Sequence, residues 1–509
     1  MERKLERGIS EAQIGWVTIG GIIGSCYFLG AGLILESLGA LAPLAFAVAG
    51  LIVFAVMQAM AELQVNLPRE SSFVGYSKEF LGSSVACGIG VTYVLNWMFY
   101  IPSEAVAGGT ISNLFMPSIA PEYFAVFFLI LIVGINLLHV KSFAIAETVM
   151  AMAKVFAIVL FCIFAVFAIF GIFTNPIGLS ILVPEIAEKK AMMGVGILGA
   201  LVFGGQMLML MFNQTPILLV NYQGSEIIGL ASGETQNPEV SIPKSAKNTA
   251  YRIVCMFVIP MFLLCLIFPA SKAGVASSVF ADALAANGFG WLGILFTIVV
   301  LISAFSCANS GFYAGVRTIR GLAIEGLLPK FLINLNANNA PQNAALLMAI
   351  GCCLALAGSI LFGESNIFAS LLSMSGITGA LCWVSFGVCV YIFRKKLAVN
   401  GYSKADIKAP SNLLFVMLLA VLLQSAGIIS LGFSGDYQLP FFISSGLMIA
   451  SMVIYKICEI TGHTRFVEAV HKGEKSFDEL FPKRPIEGSI IVEKAFQPGV
   501  MEKIPTTGD

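Results

Sequence analysis

From residue 13 to residue 456 the sequence is a succession of apolar runs, most of them about twenty residues or longer, separated by short polar breaks. Runs of that length fit the hydrocarbon core of a bilayer, which a helix of about 20 residues crosses. Charge is correspondingly sparse. The 29 Lys+Arg and 29 Asp+Glu make up 11% of 509 residues, against 58% hydrophobic residues and a mean hydropathy of +0.90. A water-soluble fold of this size could not cover so much apolar side chain. A soluble enzyme, a disordered chain and a nucleic-acid binder are therefore set aside. The fold class is an all-α polytopic membrane protein.

Twelve spans are read, at 13–38, 41–66, 84–112, 121–139, 147–171, 208–232, 249–269, 290–316, 342–361, 366–392, 412–431 and 437–456. Lys and Arg set the orientation, because they concentrate on the cytoplasmic side. With both termini inside, the outer segments hold Lys189, Lys190 and Lys272, Lys154 lies in a span, and the other basic residues face the cytoplasm. Location in a plasma or inner membrane follows, with lipid as a partner. The division is a cytoplasmic N-terminus (1–12), two repeats (13–171 and 208–392), an external or re-entrant insertion (172–207), two further helices (393–456) and a cytoplasmic tail (457–509). The glycine-bearing apolar stretch 191–212 falls outside the regular pattern, and a full span there would reverse every later segment. The apolar run after the N-terminal polar residues is too long for a cleaved leader. The 11 Cys lie mostly inside apolar runs and the three His are scattered, so no metal and no cofactor is expected. Arg252, Arg317 and Arg320, at inner span ends, are expected to reach lipid phosphates.

Two spans carry polar, glycine-containing interruptions. The first contains Gly20, Gly21, Gly24, Ser25 and Cys26; Gly24 lies about 16 Å along its helix, near the bilayer midplane. The sixth contains Asn221, Tyr222, Gln223, Gly224, Ser225 and Glu226, about 15 Å from its inner end. Non-helical backbone at that depth is tolerated where protein or a cavity satisfies it. Paired interruptions at corresponding places in two halves point to an inverted-repeat transporter and mark its binding site. The free N–H groups at Gly24, Ser25 and Cys26 suit an anion. The carbonyls of Tyr222, Gln223 and Gly224 suit an ammonium group. Ionisable residues within spans are functional candidates by default. Glu104 and Glu226 either meet the substrate or bond helix to helix, and Glu62 lies where a gate or loop contact is expected. Ser303, Ser306 and Asn309 share one helix face, lining either the pathway or a helix interface. Ser373 and Ser375 are candidates for the tenth-helix side of the cavity.

The run from Gly20 to Gly30 resembles the first-helix signature of bacterial and fungal amino acid permeases, within the amino acid–polyamine–organocation superfamily. Asn96-Trp97 with Pro102 and Glu104 resembles the third-helix motif. The stretch Tyr222–Glu234 followed by Asn237-Pro238 and Ile242-Pro243 resembles the sixth helix and its exit, and Ala323–Lys330 with Pro341 the loop after the eighth. The likeness covers about residues 8–455. It implies 12 transmembrane helices in a 5+5 inverted repeat, with discontinuous helices 1 and 6. The substrate is then an L-amino acid held between the breaks, with Gly24, Ser25, Cys26, Tyr222, Gln223, Gly224, Ser225 and Glu226 as its site. Lys154 resembles a fifth-helix lysine that stands where sodium-coupled relatives hold their ion, and is a candidate proton carrier or a fixed cation that staples helices. Cys26 departs from the family, which usually has a glycine there. The motif style at Gln223-Gly224 is nearest to lysine-type permeases. The expected function is proton-coupled amino acid uptake, with cationic substrates slightly ahead of neutral ones, by a chain that is not an enzyme. An exchanger, a sodium-coupled carrier and a membrane sensor are the alternatives. Oligomeric state is not legible.

Overall fold

The computed structural model describes residues 11–137, 140–172, 197–230, 237–274, 278–361, 367–433, 435, 437–462 and 474–484. Most of the expected N-terminal segment, residues 173–196 of the insertion and most of the tail lie outside them. The first half runs α1 (Glu11–Ile22), α2 (Ser25–Phe28), α3 (Gly30–Leu38), α4 (Ala42–Asn66), α5 (Phe73–Leu81), α6 (Ser83–Phe115), α7 (Pro121–Asn136) and α8 (Val140–Phe170). Next come α9 (Ile197–Asn213), α10 (Thr215–Val220), α11 (Ile227–Leu230), α12 (Pro238–Ile253), α13 (Ile259–Ile267), α14 (Val279–Ala286), α15 (Gly290–Ile324), α16 (Gln342–Leu361) and α17 (Ile367–Val399). The remainder is α18 (Leu414–Leu431), α19 (Gln438–Ile460) and α20 (Phe477–Leu480).

Among the described residues, eight helical stretches are long and apolar enough to cross a membrane, and two shorter apolar helices accompany them. Burial sorts them. In α6 and α17 the apolar window is 72% buried, whereas in α19 it is 6% buried. The first two are therefore the interior pillars and the last faces outward. Phe127 and Ile130 on α7, Phe156 on α8 and Phe415 on α18 are exposed, as lipid-facing side chains are. Between α3 and α4, Gly39 takes a φ of 54°, a value that favours glycine and ends α3.

Helix lengths depart from the apolar runs in one consistent way. α15 continues to Ile324 and α17 to Val399, past the expected ends at 316 and 392. Hydropathy marks the lipid-crossing part, but helical hydrogen bonding continues as long as the polar turns find partners. Before Pro260, which lacks an N–H, residues Val254–Val258 widen into a π-helical turn between α12 and α13. The apolar run before the second break is helical from Ile197, eleven residues ahead of the expected 208.

Helix ends on one side of the bundle are tied by charge. Arg394 donates to both oxygens of Glu62, which is fully buried and also accepts the Ser411 N–H at 2.8 Å. Arg320 pairs with Glu70 at 2.6 Å, and Lys78 with Glu325 at 3.2 Å. This corrects the expectation for Arg320, which is buried against a carboxylate. Arg317 lies over the Tyr313 ring, 3.8 Å from its centroid.

The C-terminal tail contributes an anchored segment. Phe477 is fully buried and its ring meets Phe80, Phe393 and Phe481 at centroid distances of 6.1, 5.8 and 5.4 Å. Glu79 accepts the Phe477 N–H, Glu474 accepts the Glu70 N–H, and the Asn400 side chain donates to the Phe481 carbonyl. Arg484 reaches Asp406 at 2.8 Å. Asp406 is held down to about 2, first by the Ser403 N–H and hydroxyl and then by Arg484. Removing a buried Phe typically costs about 3–5 kcal/mol. Phe477→Asp is therefore expected to free residues 474–484. Limited proteolysis should then cut within this segment in the variant and spare it in the parent; equal digestion of both would refute the docking.

Candidate functional site at two helix breaks

The chain leaves helical geometry at Ile23–Gly24 between α1 and α2, and at Asn221–Glu226 between α10 and α11. The breaks touch. Gly224, at φ 99°, lies so close to the Gly21 carbonyl that a Cβ there would collide with it. Glycine is needed for both reasons, its backbone conformation and the close approach.

At the first break the Ser25 N–H donates to Glu104 Oε2 at 3.0 Å, and the Cys26 N–H points to Oε1 at 3.5 Å. The sequence-predicted amide cradle thus already holds a carboxylate, from α6. Glu104 is 2% exposed. Beside it Tyr100 Oη bonds with Cys26 Sγ at 2.9 Å and with Cys307 Sγ at 3.1 Å. The α1 carbonyls that precede the break are taken as well. Lys154 Nζ donates to the Gly20 carbonyl at 2.7 Å, and Cys307 Sγ to the Gly21 carbonyl at 2.8 Å. Lys154 is fully buried, and Glu147, about two turns before it on α8, accepts the Ser306 hydroxyl.

At the second break the Gly224 N–H points to the Glu226 carboxylate, at 3.1 Å to Oε2, and Tyr93 Oη donates to Oε1 at 2.7 Å. Ser225 Oγ donates to the Tyr222 carbonyl at 2.8 Å, and the Gly224 carbonyl accepts the Ile227 N–H. Two of the three carbonyls expected to face an ammonium group are therefore engaged in the local turn. The Tyr222 side chain leaves the break and donates to the Phe46 carbonyl. Gln223 reaches α17, where its amide donates to the Ser375 carbonyl and accepts the Ser375 hydroxyl at 3.0 Å. Ser375 also lies 2.7 Å from Asn96 Oδ1.

The other candidates are placed less centrally. Asn309 accepts a 2.7 Å bond from Asn136 on α7, which is a helix-to-helix contact. Ser306 is spent on Glu147. Ser373 donates back to the Ala369 carbonyl of its own helix. Sequence reasoning passed over Tyr93, Tyr100, Glu147 and Cys307 as parts of the site. A signal existed: Tyr93, Asn96-Trp97, Tyr100 and Glu104 recur at steps of three and four along α6, one face of a helix.

Comparison with known proteins agrees with the architecture. Residues 13–458 match the family model described as amino acid permease. The chain is 30% identical over 461 residues to the amino-acid permease RocC of Bacillus subtilis, covering 90% of this chain and 95% of that one. It is 28% identical to a putative histidine permease of the same organism, covering 94% and 97%. It is also 28% identical to the lysine-specific permease LysP of Lactococcus lactis, covering 79% and 78%. Paired discontinuous helices in a polytopic membrane protein are the arrangement in which many transporters form their solute site. This chain belongs to the amino acid permease family and is a secondary transporter of amino acids, not an enzyme.

Proposed function

We propose that the protein takes up L-amino acids through the contact zone of its two helix breaks, driven by an inward proton gradient. The observation that carries this reading is the meeting of Gly21 with Gly224 amid buried carboxylates and a buried ammonium. In this reading the carboxylate of the substrate is held at Gly24, Ser25 and Cys26. Its amine is held among Tyr222, Gln223, Gly224, Ser225 and Glu226. The twelve spans form a 5+5 inverted repeat with two added helices, and both termini lie on the cytoplasmic side. Rocking of one repeat against the other exposes the breaks to each side in turn.

Lys154 is the proposed coupling residue. Lys154 is fully buried within a span, and an ionisable side chain so placed is a candidate proton carrier by default. Its bond to the Gly20 carbonyl ties its charge state to the geometry of α1 just before the break. A cation there also takes the role that a sodium ion would otherwise fill. Cationic substrates are favoured by the motif style at Gln223-Gly224 and by the lysine and histidine permeases among the relatives. Glu226, within reach of the second break, offers the matching negative charge.

Two outcomes are expected. Proteoliposomes with an imposed inward proton gradient accumulate labelled lysine or histidine without sodium, and Lys154→Ala abolishes accumulation while exchange of internal for external amino acid persists. A need for sodium or for preloaded amino acid in the parent would reject proton symport. Gly224→Val strains a backbone of φ 99° by on the order of 1–3 kcal/mol and drives a side chain into the Gly21 carbonyl. Binding and uptake are expected to vanish in protein that still reaches the membrane, and uptake close to that of the parent would show that the breaks need not touch.

A further inference from the structure

We propose that Glu104 is an internal stand-in for the substrate carboxylate, holding the Ser25 and Cys26 amides between substrates and leaving them as a neutral carboxyl when substrate arrives. The inference rests on the proposed site and adds how the carboxylate end is gated. Glu104 comes from α6, some 78 residues along the chain from the amides it caps, so the contact is tertiary and not a local cap. Its chemistry is that of the group the cradle is read to bind. Ser25 is fully buried and Cys26 likewise, which leaves no room for two carboxylates on the same two donors. Two carboxylates that share a site do not both stay charged.

Glu104 itself borders a tight apolar crevice, with Gly108, Phe128, Ile132, Leu301 and Ala304 also on its wall, too narrow in this conformation to hold a water molecule, so departure needs the helices around it to part. An apolar wall of that kind takes a protonated carboxyl and rejects a charged one. The titratable groups around Glu104 come from each packed element: Cys26 on α2, Tyr100 on α6 itself, Cys307 on α15 and Lys154 on α8, which interacts electrostatically with both Glu104 and Glu147. α7 presents Phe128 and Ile132. Exchange of the Glu104 charge for a substrate carboxylate, with one proton taken up by Glu104, keeps the negative charge near Lys154 constant. The stoichiometry is one proton per substrate carboxylate bound. Lower pH therefore favours binding, because the proton and the incoming carboxylate both act to move Glu104 off the amides.

The test uses the full chain, purified and folded in lipid nanodiscs. The standard amino acids are screened by thermal shift, and the one that stabilises most is compared with its decarboxylated amine over a pH series. The amino acid is expected to weaken by up to about tenfold per pH unit as pH rises, the slope of a one-proton linkage. The amine, with no claim on the cradle, is expected to lack that component. In Glu104→Gln, which cannot take up the proton, the amino acid's slope should flatten. Equal slopes for amino acid and amine in the parent, or an unchanged slope in Glu104→Gln, would overturn the proposal and leave the permease site standing. The first comparison needs no variant, so it holds even if Glu104→Gln does not fold. A parent that no amino acid stabilises and that takes none up would remove the proposed site and this inference with it.

Discussion

A helix broken in the middle of a membrane exposes N–H and carbonyl groups that lipid cannot satisfy. Most of the central architecture answers that demand. The donors at Ser25 and Cys26 are met by Glu104, the carbonyls of Gly20 and Gly21 by Lys154 and Cys307, and the Gly224 amide by Glu226. Each partner comes with a cost of its own, because a buried carboxylate or ammonium needs further bonds. Glu226 obtains one from Tyr93. Around Lys154 the opposing charge is that of Glu147, which in turn takes the Ser306 hydroxyl. The polar groups of the spans thus form short chains that begin at a break and end on a hydroxyl of a neighbouring helix.

This explains which polar positions were legible in the sequence. Glycines and polar residues interrupting apolar runs reveal where backbone bonding fails, so the breaks at Gly24 and at Asn221–Glu226 could be read from composition along the chain. Their partners could not, since what Glu104 or Lys154 bonds depends on which helices pack together, and periodicity within one helix does not report that. Asn309 illustrates the limit. Its spacing from Ser303 and Ser306 placed it on a polar stripe, yet a stripe serves equally for a pathway or for a neighbour, and here it meets Asn136. One helix end was misjudged for a related reason. Arg320 read as a residue at the lipid boundary, but it is held by a carboxylate, Glu70, from another segment, as Arg394 is by Glu62.

The segment between α4 and α6 was read simply as a polar break, yet it contains α5, with Phe73, Val74 and Tyr76 buried. Its apolar residues are spaced as in an amphipathic helix, and the run is too short to register as a span. The same reading applies to the tail, where Phe477 and Phe481 four residues apart form one face. That face closes over Phe80 of α5 and Phe393 of α17. Short amphipathic pieces of this kind are stabilised by what they dock on, so hydropathy averaged over a membrane-length window passes over them.

One helix joins these features mechanically. Glu104 and Tyr93 lie eleven residues apart on α6, close to three full turns, and so on the same face about 16 Å apart. Glu104 grips the first break and Tyr93, through Glu226, the second. Between them Asn96 reaches Ser375 on α17, which bonds Gln223 of the second break. A rotation or slide of α6 would therefore change the bonding of both breaks together. Near the Ser83 end of the same helix, α5 and the loop before it are pinned to the C-terminal end of α15 and its cap through Lys78–Glu325 and Glu70–Arg320. The ion pairs at that end, α6 and the two breaks thus form one continuous chain of contacts, the kind of connection along which a change at a helix end and a change at the centre are able to be coupled.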